Sequence, residues 1–236
     1  MNDSQWLQRG VLALGCEKSD ALANAHVLVI GLGGVGSWAA EMLCRAGVGR
    51  LSIIDADRVD VTNVNRQMPA LHSTVGQYKS DVVAARLRDI NPSLVLNVKN
   101  VYVDEENIHT LLDTLKPHFV VDAIDTLPSK AALVVACWQR GIKIVSSMGA
   151  GAKSDLSKIR TGELWRTENC VLARNLRRLL REWRGKYKLP VVFSAEEANK
   201  SAVAPNPAGG KPIIGSLGYY TAVFGCYLTE YVLRNI

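Results

Sequence analysis

A glycine-rich turn between a strand pattern and a helix pattern constrains this chain more than any other feature. His26 and the apolar residues 27–30 lead into Gly31, Gly33, Gly34 and Gly36, and a helix pattern begins immediately afterwards. In such a turn glycines permit a tight bend, a close approach of backbone N–H groups to a phosphate, and close packing of helix on strand. The free N–H groups and the positive dipole end of the helix favour an anion. The turn therefore predicts a phosphate-binding site.

An acidic residue follows at the distance expected for the ribose of a nucleotide. The apolar stretch 51–54 ends at Asp55, which lies 24 residues after Gly31. An acid in this position typically accepts hydrogen bonds from ribose hydroxyls. The two features together indicate an adenine nucleotide, and they leave NAD, FAD and ATP open.

Polar side chains beyond this second strand favour ATP. Asp57, Asn63, Arg66 and Gln67 come just after the strand end, where open α/β sheets bind ligands, and Lys79 supplies a cation at the next helix. A dehydrogenase needs no such cluster beside its ribose site. From the residue types alone, Asn63 and Arg66 fit a loop-organising role equally well, and Lys79 would be an ordinary surface lysine.

A later strand pattern ends in another acid. Asp125 follows the stretch 118–123 and is suited to a hydrated Mg²⁺ held mainly by phosphates, whereas we expect Asp122 to be structural. Asp60 is expected to be a solvated loop acid. A ribose acid, a phosphate-binding arginine and lysine, and a metal-binding acid together describe an ATP site.

The alternation of patterns predicts an α/β fold, a Rossmann-like doubly wound sheet that is mostly parallel with helices on both faces. Strand patterns lie near 27–30, 51–54, 94–100, 118–123 and 142–146. Helix patterns lie near 35–46, 76–90, 105–115 and 129–139. After residue 146 the regular alternation of strands and helices ends. The patterns that follow are an alternating apolar–polar segment at 159–164, a basic helix, a short strand at 191–193, a Pro/Gly-rich loop at 202–212 and an apolar helix at 217–234.

The motifs resemble the ThiF/MoeB superfamily, the adenylating enzymes related to ubiquitin activators. The resemblance is carried by residues 31–37, Asp55, Asn63, Arg66–Gln67, Lys79 and Asp125. Further stretches at 36–41, 61–67, 90–92, 122–125, 130–133, 149–151 and 192–196 are most similar to the bacterial dehydratase branch that modifies threonylcarbamoyladenosine in tRNA. The match runs from about Arg9 to near the C-terminus.

This resemblance implies a function and a set of roles. The expected reaction is ATP-dependent adenylation of the threonyl carboxylate of threonylcarbamoyladenosine in tRNA, followed by cyclising dehydration. Arg66, Lys79 and Asp125 would be catalytic, with Mg²⁺ on Asp125. Nucleotide-binding roles fall on Gly31, Gly33, Gly34, Gly36, Asp55, Asp57, Asn63, Arg66, Gln67 and Lys79.

The resemblance also implies an organisation and partners. Residues 1–236 would form one ThiF-type adenylating domain, with a nucleotide-binding core at 26–150. Residues 151–236 would extend the sheet with antiparallel strands and add the basic and C-terminal helices. We expect a homodimer, in which an arginine near Arg9 reaches the partner's ATP site, and sulfur-transfer proteins are possible partners.

Rival functions remain open at this point. The nearest is activation of the C-terminal carboxylate of a ubiquitin-like sulfur-carrier protein. Enzymes of that kind usually hold a zinc ion with two CxxC pairs, and the five cysteines here form none. An NAD-dependent oxidoreductase, or a nucleotide-sensing module without chemistry, would not need the polar set around Arg66 and Asp125.

Composition and cysteine placement indicate the cellular location of the protein and which cysteines are buried. The 236 residues are 48% hydrophobic with a net charge of +6, and no apolar run could span a bilayer. Met1–Ser4 does not begin a secretory signal, so we expect a cytoplasmic protein without a membrane segment. Cys44, Cys137 and Cys226 lie in apolar helix patterns and are expected in the core. Cys170 is expected to be more exposed, but it has no activating neighbour in sequence.

A basic helix is the last feature. Residues 170–188 form a helix pattern with apolar residues at 172, 176, 179 and 183. Between them lie Arg174, Arg177, Arg178, Arg181 and Arg184, and only Glu182 compensates nearby. A solvated helix face is the plain interpretation. Such single-sign density nevertheless favours contact with a phosphate backbone, here that of tRNA.

Overall fold

A seven-stranded sheet forms the centre of the computed structural model, which describes residues 5–207, 209–210 and 212–236. Met1–Ser4, Ala208 and Lys211 lie outside the described residues, so the predicted loop at 202–212 is described only in part. The strand order is β3-β2-β1-β4-β5-β7-β6. The strands are β1 His26–Ile30, β2 Arg50–Ile54, β3 Val95–Lys99, β4 Phe119–Asp122, β5 Lys143–Ser147, β6 Ile159–Glu163 and β7 Pro190–Ser194.

Six of these strands run parallel and β6 runs antiparallel to β7. In register, Val27 of β1 lies between Leu51 of β2 and Phe119 of β4, and Ile159 of β6 pairs with Ser194 of β7. A separate antiparallel pair joins β8 (Val203–Ala204) to β9 (Ile213–Ile214). The predicted doubly wound, mostly parallel sheet with antiparallel extension is confirmed.

Helices cover both faces of this sheet. They are α1 Gln8–Leu14, α2 Cys16–Ala23, α3 Gly36–Arg45, α4 Lys79–Ile90, α5 Ile108–Leu115, α6 Leu127–Gln139, α7 Val171–Leu179 and α8 Gly218–Asn235. One hydrophobic core includes α3, α4 and α8, and the other includes α5, α6 and α7. Parallel sheets occur almost only with both faces covered, which explains the near-continuous apolar strands. None of the described helices is both long and apolar enough to cross a membrane.

The basic helix is shorter than its sequence pattern predicts. The prediction of a helix over 170–188 is wrong beyond Leu179, where α7 ends and a separate turn at Arg181–Trp183 follows. Tertiary packing explains the early end. The rings of Trp183 and Tyr187 lie 6.1 and 5.2 Å from the ring of Trp138 on α6, so the chain leaves the helix to form this cluster.

The structure adds elements at one end of the chain and corrects a prediction at the other. The N-terminal helices α1 and α2 were not predicted from the sequence. Cys226, expected in the core, is exposed. Its neighbour Gly225 is the residue that faces α3, since a Cβ there would lie 2.7 Å from the carbonyl oxygen of Val35. The next helix position is therefore rotated away from α3. Cys44 and Cys137 are buried, as predicted.

A buried ion pair fixes the carboxyl end of β4. Lys130 Nζ lies 2.7 Å from Asp122 Oδ2, and neither side chain is exposed to solvent. Ser146 on β5 donates to the same oxygen at 2.6 Å, and the backbone N–H of Ile124 donates to Asp122 Oδ1 at 3.0 Å. Asp122 thus has the structural role expected from the sequence, and it fixes the turn that leads to Asp125.

Replacing Lys130 should test this network. Lys130→Met leaves a buried carboxylate without its cation, which should lower the free energy of unfolding by about 3–5 kcal/mol. The exposed Lys200→Met is the control and should change stability by less than about 0.5 kcal/mol. Urea unfolding of both variants measures the difference. The double variant Asp122→Asn, Lys130→Met should recover part of the loss, and equal effects of the two lysine substitutions would contradict the prediction.

Candidate nucleotide-binding site

The glycine turn after β1 is built by two close approaches. Gly31 has φ +87°, and a Cβ there would lie 2.7 Å from the carbonyl oxygen of Ala123. At Gly36 a Cβ would lie 1.8 Å from the carbonyl oxygen of Gly31. Since real Cβ atoms essentially never approach so closely, only glycine allows α3 to begin against the end of β1. The structure therefore has the geometric basis of the predicted turn.

The middle of the turn offers free hydrogen-bonding groups. Among the described residues, no group accepts a hydrogen bond from the backbone N–H of Gly33 or Gly34. The amide of Gln67 borders Gly33, and Thr221 of α8 borders Gly34. Gln67 Oε1 is buried without a hydrogen-bond partner in the part of the chain that the structure describes. Unpaired donors and a buried unpaired amide oxygen at one turn are the groups that a polar ligand would satisfy.

Asp55 lies directly beside this turn. Its Oδ2 accepts a 2.6 Å hydrogen bond from the backbone N–H of Leu32, and its Oδ1 accepts one of 2.7 Å from Asp57. Burial raises the pKa of Asp55, while the two backbone donors act in the opposite direction. Each carboxylate oxygen keeps a further lone pair, so Asp55 can still accept a hydrogen bond from a ribose hydroxyl.

Lys79 is buried rather than on the surface. Its Nζ lies 2.8 Å from Asp57 Oδ2, and its side chain is 7% exposed against 70% for Asp57. The backbone N–H of Lys79 also donates to the carbonyl oxygen of Asp57 at 3.0 Å. The first residue of α4 is therefore tied to the segment that follows Asp55. The structure thus brings three predicted site residues together through direct contacts.

The loop between β2 and α4 organises Asn63 and Arg66. Asn63 Oδ1 accepts from the backbone N–H of Asp60 at 3.2 Å, and Asp60 Oδ1 accepts from that of Thr62 at 2.8 Å. Arg66 Nη1 donates to the carbonyl oxygen of Thr62 and to Asn65 Oδ1, both at 2.9 Å. Asp60 is exposed but caps this turn, and the hydroxyl and backbone N–H of Thr62 lower its pKa.

Both readings of Arg66 therefore have a structural basis. One guanidinium nitrogen holds the loop, as the loop-organising alternative requires. The Nε and Nη2 atoms donate no hydrogen bond to any described residue, so they remain for a ligand. An arginine fork of this kind suits phosphate oxygens.

Asp125 lies in the turn after β4, at the same edge of the sheet. It is exposed, and the hydroxyl of Thr126 donates to its Oδ1 at 3.4 Å. No group of three or more His, Cys, Asp or Glu side chains that could hold a metal occurs among the residues described. A metal at Asp125 would need most of its ligands from phosphates and water, which is how Mg²⁺ commonly binds beside nucleotides.

Two contributors to this region escaped the sequence reasoning. Thr221 bridges the C-terminal helix to the site, since its Oγ1 lies 3.4 Å from the carbonyl oxygen of Arg66 and borders Gly34. Lys130 and Ser146 hold the end of β4 through Asp122. A polar residue in the apolar helix 217–234 was the one available signal for Thr221. Asp122 and Lys130 both lie in stretches that carry the family resemblance, but their pairing was not predicted, because the two residues lie on different elements.

Comparisons with known proteins give one consistent result. A family model described as the ThiF family matches residues 7–235. The tRNA threonylcarbamoyladenosine dehydratase of Bacillus subtilis (strain 168) is 42% identical over 80% of this chain and 74% of its own. The Escherichia coli tRNA N6-threonylcarbamoyladenosine dehydratase TcdA, solved in complex with ATP, superposes with a TM-score of 0.89 at 35% identity, covering 98% and 93% of the two chains.

A relative with a different name matches a shorter part of the chain. The molybdopterin-synthase adenylyltransferase of Salmonella typhimurium (strain LT2) is 34% identical over 55% of this chain and 51% of its own. The family match and the two dehydratase matches, which cover 80% and 98% of this chain, extend beyond that region. Because the family model covers residues 7–235, nearly the whole chain, the chain belongs to the ThiF family.

Proposed function

We propose that this protein adenylates the threonyl carboxylate of threonylcarbamoyladenosine in tRNA and then closes a ring with net loss of water. The observation that carries the proposal is the contact chain at the carboxyl edge of the sheet. Asp55 holds the glycine turn through Leu32, Asp57 joins Asp55 to Lys79, and Lys79 is a buried cation. The dehydratase relatives, one of them solved with ATP, supply the substrate class.

In the first step the threonyl carboxylate attacks the α-phosphorus of ATP, and the bond to the β-phosphate oxygen breaks. Pyrophosphate leaves, and an acyl-adenylate remains. The N–H groups of Gly33 and Gly34 and the start of α3 bind phosphate oxygens, while Asp55 accepts from the ribose. Arg66 and Lys79 offset the phosphate charge. Catalysis thus depends on positioning and charge neutralisation.

In the second step a nucleophilic atom of the substrate's own carbamoyl group attacks the activated carbonyl carbon. The carbon–oxygen bond to AMP breaks, the nucleophile loses its proton, and the former carboxylate oxygen leaves with AMP. No protein nucleophile is needed. Cys170 fits this reading, because its sulfur accepts a 3.4 Å hydrogen bond from the N–H of Ala173 and caps α7.

Asp125 would hold the Mg²⁺ that accompanies the nucleotide. Its carboxylate is exposed, whereas Asp122 is fully engaged by Lys130 and Ser146. When bound, Mg²⁺ supplies neutralisation of the polyphosphate charge. The protein's contribution is to hold the carboxylate in a turn that the Asp122 network fixes.

Asp125→Asn tests that role. The variant should fold normally, because the side chain makes one weak contact, but adenylation should fall roughly 100-fold or more with the loss of several kcal/mol of charge stabilisation. The exposed Asp89→Asn on α4 is the matched control and should keep full activity. Pyrophosphate exchange across a Mg²⁺ titration gives the measurement. Near-normal exchange at low Mg²⁺ would remove Asp125 from the metal site.

Arg66→Ala separates its two roles. Loss of the loop contacts should cost about 1 kcal/mol of stability, whereas the rate of adenylation should fall roughly 100-fold because a phosphate-binding group is gone. Arg88→Ala, on the exposed face of α4, provides the control. Thermal unfolding and exchange are measured on the same preparations. If the variant loses stability but the folded protein keeps its rate of adenylation, Arg66 has only the loop-organising role.

The proposal also includes the oligomeric state and the cellular location of the protein. We infer a homodimer, supported by exposed Trp6 and Leu12 near the N-terminus and by a cavity of about 690 Å³ between α1 and α8 whose lining includes Leu14 and Leu233. Arg9 on α1 is exposed and would reach the partner's ATP site. Residues 1–236 would act as one adenylating domain, in the cytoplasm, with sulfur-transfer proteins as possible partners.

The rival proposal is activation of a sulfur-carrier protein through its C-terminal carboxylate. One experiment separates the two: ATP–pyrophosphate exchange with threonylcarbamoyl-modified tRNA, with a purified carrier protein, and with neither. We expect exchange with the modified tRNA alone, since exchange requires the carboxylate that forms the adenylate. Exchange with the carrier instead would overturn the proposal, and unmodified tRNA is the matched negative control.

A further inference from the structure

The positive charge of this protein is concentrated in one segment. Residues 158–188 contain ten Lys and Arg against three Glu, a net charge of +7, while the whole chain carries +6. All other residues together therefore carry −1. The segment comprises β6, α7 and the connections on either side of α7. Such a concentration is the electrostatic signature of a polyanionic partner.

Most of these cations are exposed and unpaired. Nine of the ten are exposed, and within the described ranges none of the nine forms an ion pair with a carboxylate. We call these nine the basic face. They are Lys158, Arg160, Arg166, Arg174, Arg178, Arg181, Arg184, Lys186 and Lys188.

The structure removes one residue from the set that the sequence suggests. Arg177 is half-buried, and its Nη1 donates to the carbonyl oxygens of Leu164 and Thr167 at 3.1 and 3.0 Å. It fastens α7 to the preceding turn and is not part of the basic face. Arg174 and Arg178 are one helical turn apart and thus lie on the same side of α7.

Aromatic rings support two of these cations. The Arg184 guanidinium lies 5.3 Å from the ring centre of Trp165, and Lys186 Nζ lies 5.8 Å from that of Trp183. Cation–π contacts of this kind restrict a side chain without neutralising its charge. A phosphate partner then meets cations that have already lost part of their freedom, which reduces the entropy cost of binding.

The basic face begins at the edge of the sheet that carries the nucleotide site. The sulfur of Cys170, which caps the start of α7, lies 3.6 Å from the position of a Cβ on Gly149, just beyond β5. The carboxyl ends of the parallel strands meet at that edge, as do Asp55 and Asp125. A long polyanion on the basic face would therefore lead towards the site of adenylation.

We propose that the basic face binds the phosphate backbone of tRNA and so delivers the modified nucleotide to the ATP site. This inference rests on the proposed function for the identity of the RNA. A membrane surface is the less favoured partner, because the exposed apolar residues of α7, Val171 and Leu179, are two isolated side chains rather than an apolar helix face.

A charge-matched pair of variants tests the proposal. Arg174→Gln with Arg178→Gln removes two charges from the basic face, and Arg50→Gln with Arg88→Gln removes two exposed charges elsewhere. Filter binding of modified tRNA is measured from low to high salt. The log–log slope should become shallower by about 1.5 in the first variant, since each phosphate contact contributes roughly 0.7–0.9. The control slope should stay unchanged, and ATP affinity should be the same in all three proteins.

The outcomes separate this proposal from the proposed function. A normal wild-type exchange reaction with equal slopes in both variants would overturn the basic face and leave the function intact. A shallower slope in the first variant, with no tRNA-dependent exchange in the wild type, would support the basic face and overturn the function. Failure of the wild type to bind tRNA, or wild-type binding to phosphatidylserine vesicles in its place, would overturn the basic face as a tRNA site.

Discussion

The contact between the start of α3 and the end of β1 is the constraint on which the rest of the site depends. A side chain at Gly36 would collide with the carbonyl oxygen of Gly31, and one at Gly31 would collide with Ala123. Because neither position has a side chain, the turn is tight enough for the backbone N–H of Leu32 to donate to the Asp55 carboxylate. The same packing places Val35 and Trp38 against Gly225, so the C-terminal helix closes over the region next to the turn. One backbone approach therefore organises three elements far apart in sequence.

Two ion pairs add electrostatic contacts to this packing. Lys79 is nearly excluded from solvent and already has a carboxylate, Asp57, at 2.8 Å. Asp57 compensates the burial of this cation and itself faces water, so under the proposed function an incoming polyphosphate would meet a cation that is already held in place. Asp57 therefore holds Lys79 in place when no ligand is bound. A bound phosphate would have to compete with Asp57 for the Lys79 ammonium group. The Asp122–Lys130 pair is different, because both partners are buried and neither faces a ligand.

The sequence predicted those features that depend on neighbouring residues in the chain. The seven strands of the main sheet, the glycine turn and the position of Asp55 follow from local patterns, and the structure has them where expected. The short pair β8 and β9 was not predicted, since β8 lies within the stretch expected to be a loop. Features that depend on tertiary contacts were missed or wrong. The end of α7 at Leu179 reflects ring packing of Trp183 and Tyr187 on Trp138. The exposure of Cys226 reflects which side of α8 meets α3, and no periodicity of apolar residues distinguishes a core face from the lining of an open cavity.

The role of a charged side chain proved hardest to predict. Arg177 belongs to a run of similar arginines, yet its contacts with Leu164 and Thr167 make it a structural residue. Asn63 and Arg66 organise the loop between β2 and α4, and the carbonyl oxygen of Arg66 also borders Gly34. Residue type determines which hydrogen bonds and charges a side chain can offer. The surrounding backbone determines how many of those donors and acceptors are already used within the protein.

The position of β6 has a consequence for the behaviour of the protein in concentrated solution. β6 is the last strand of the sheet, and no described strand pairs with its outer side, so its backbone groups there could add a strand from another chain. Arg160 within β6 and Lys158 just before it are both exposed. Two copies that approached edge to edge would bring these like charges together, which disfavours pairing and so protects the protein against aggregation.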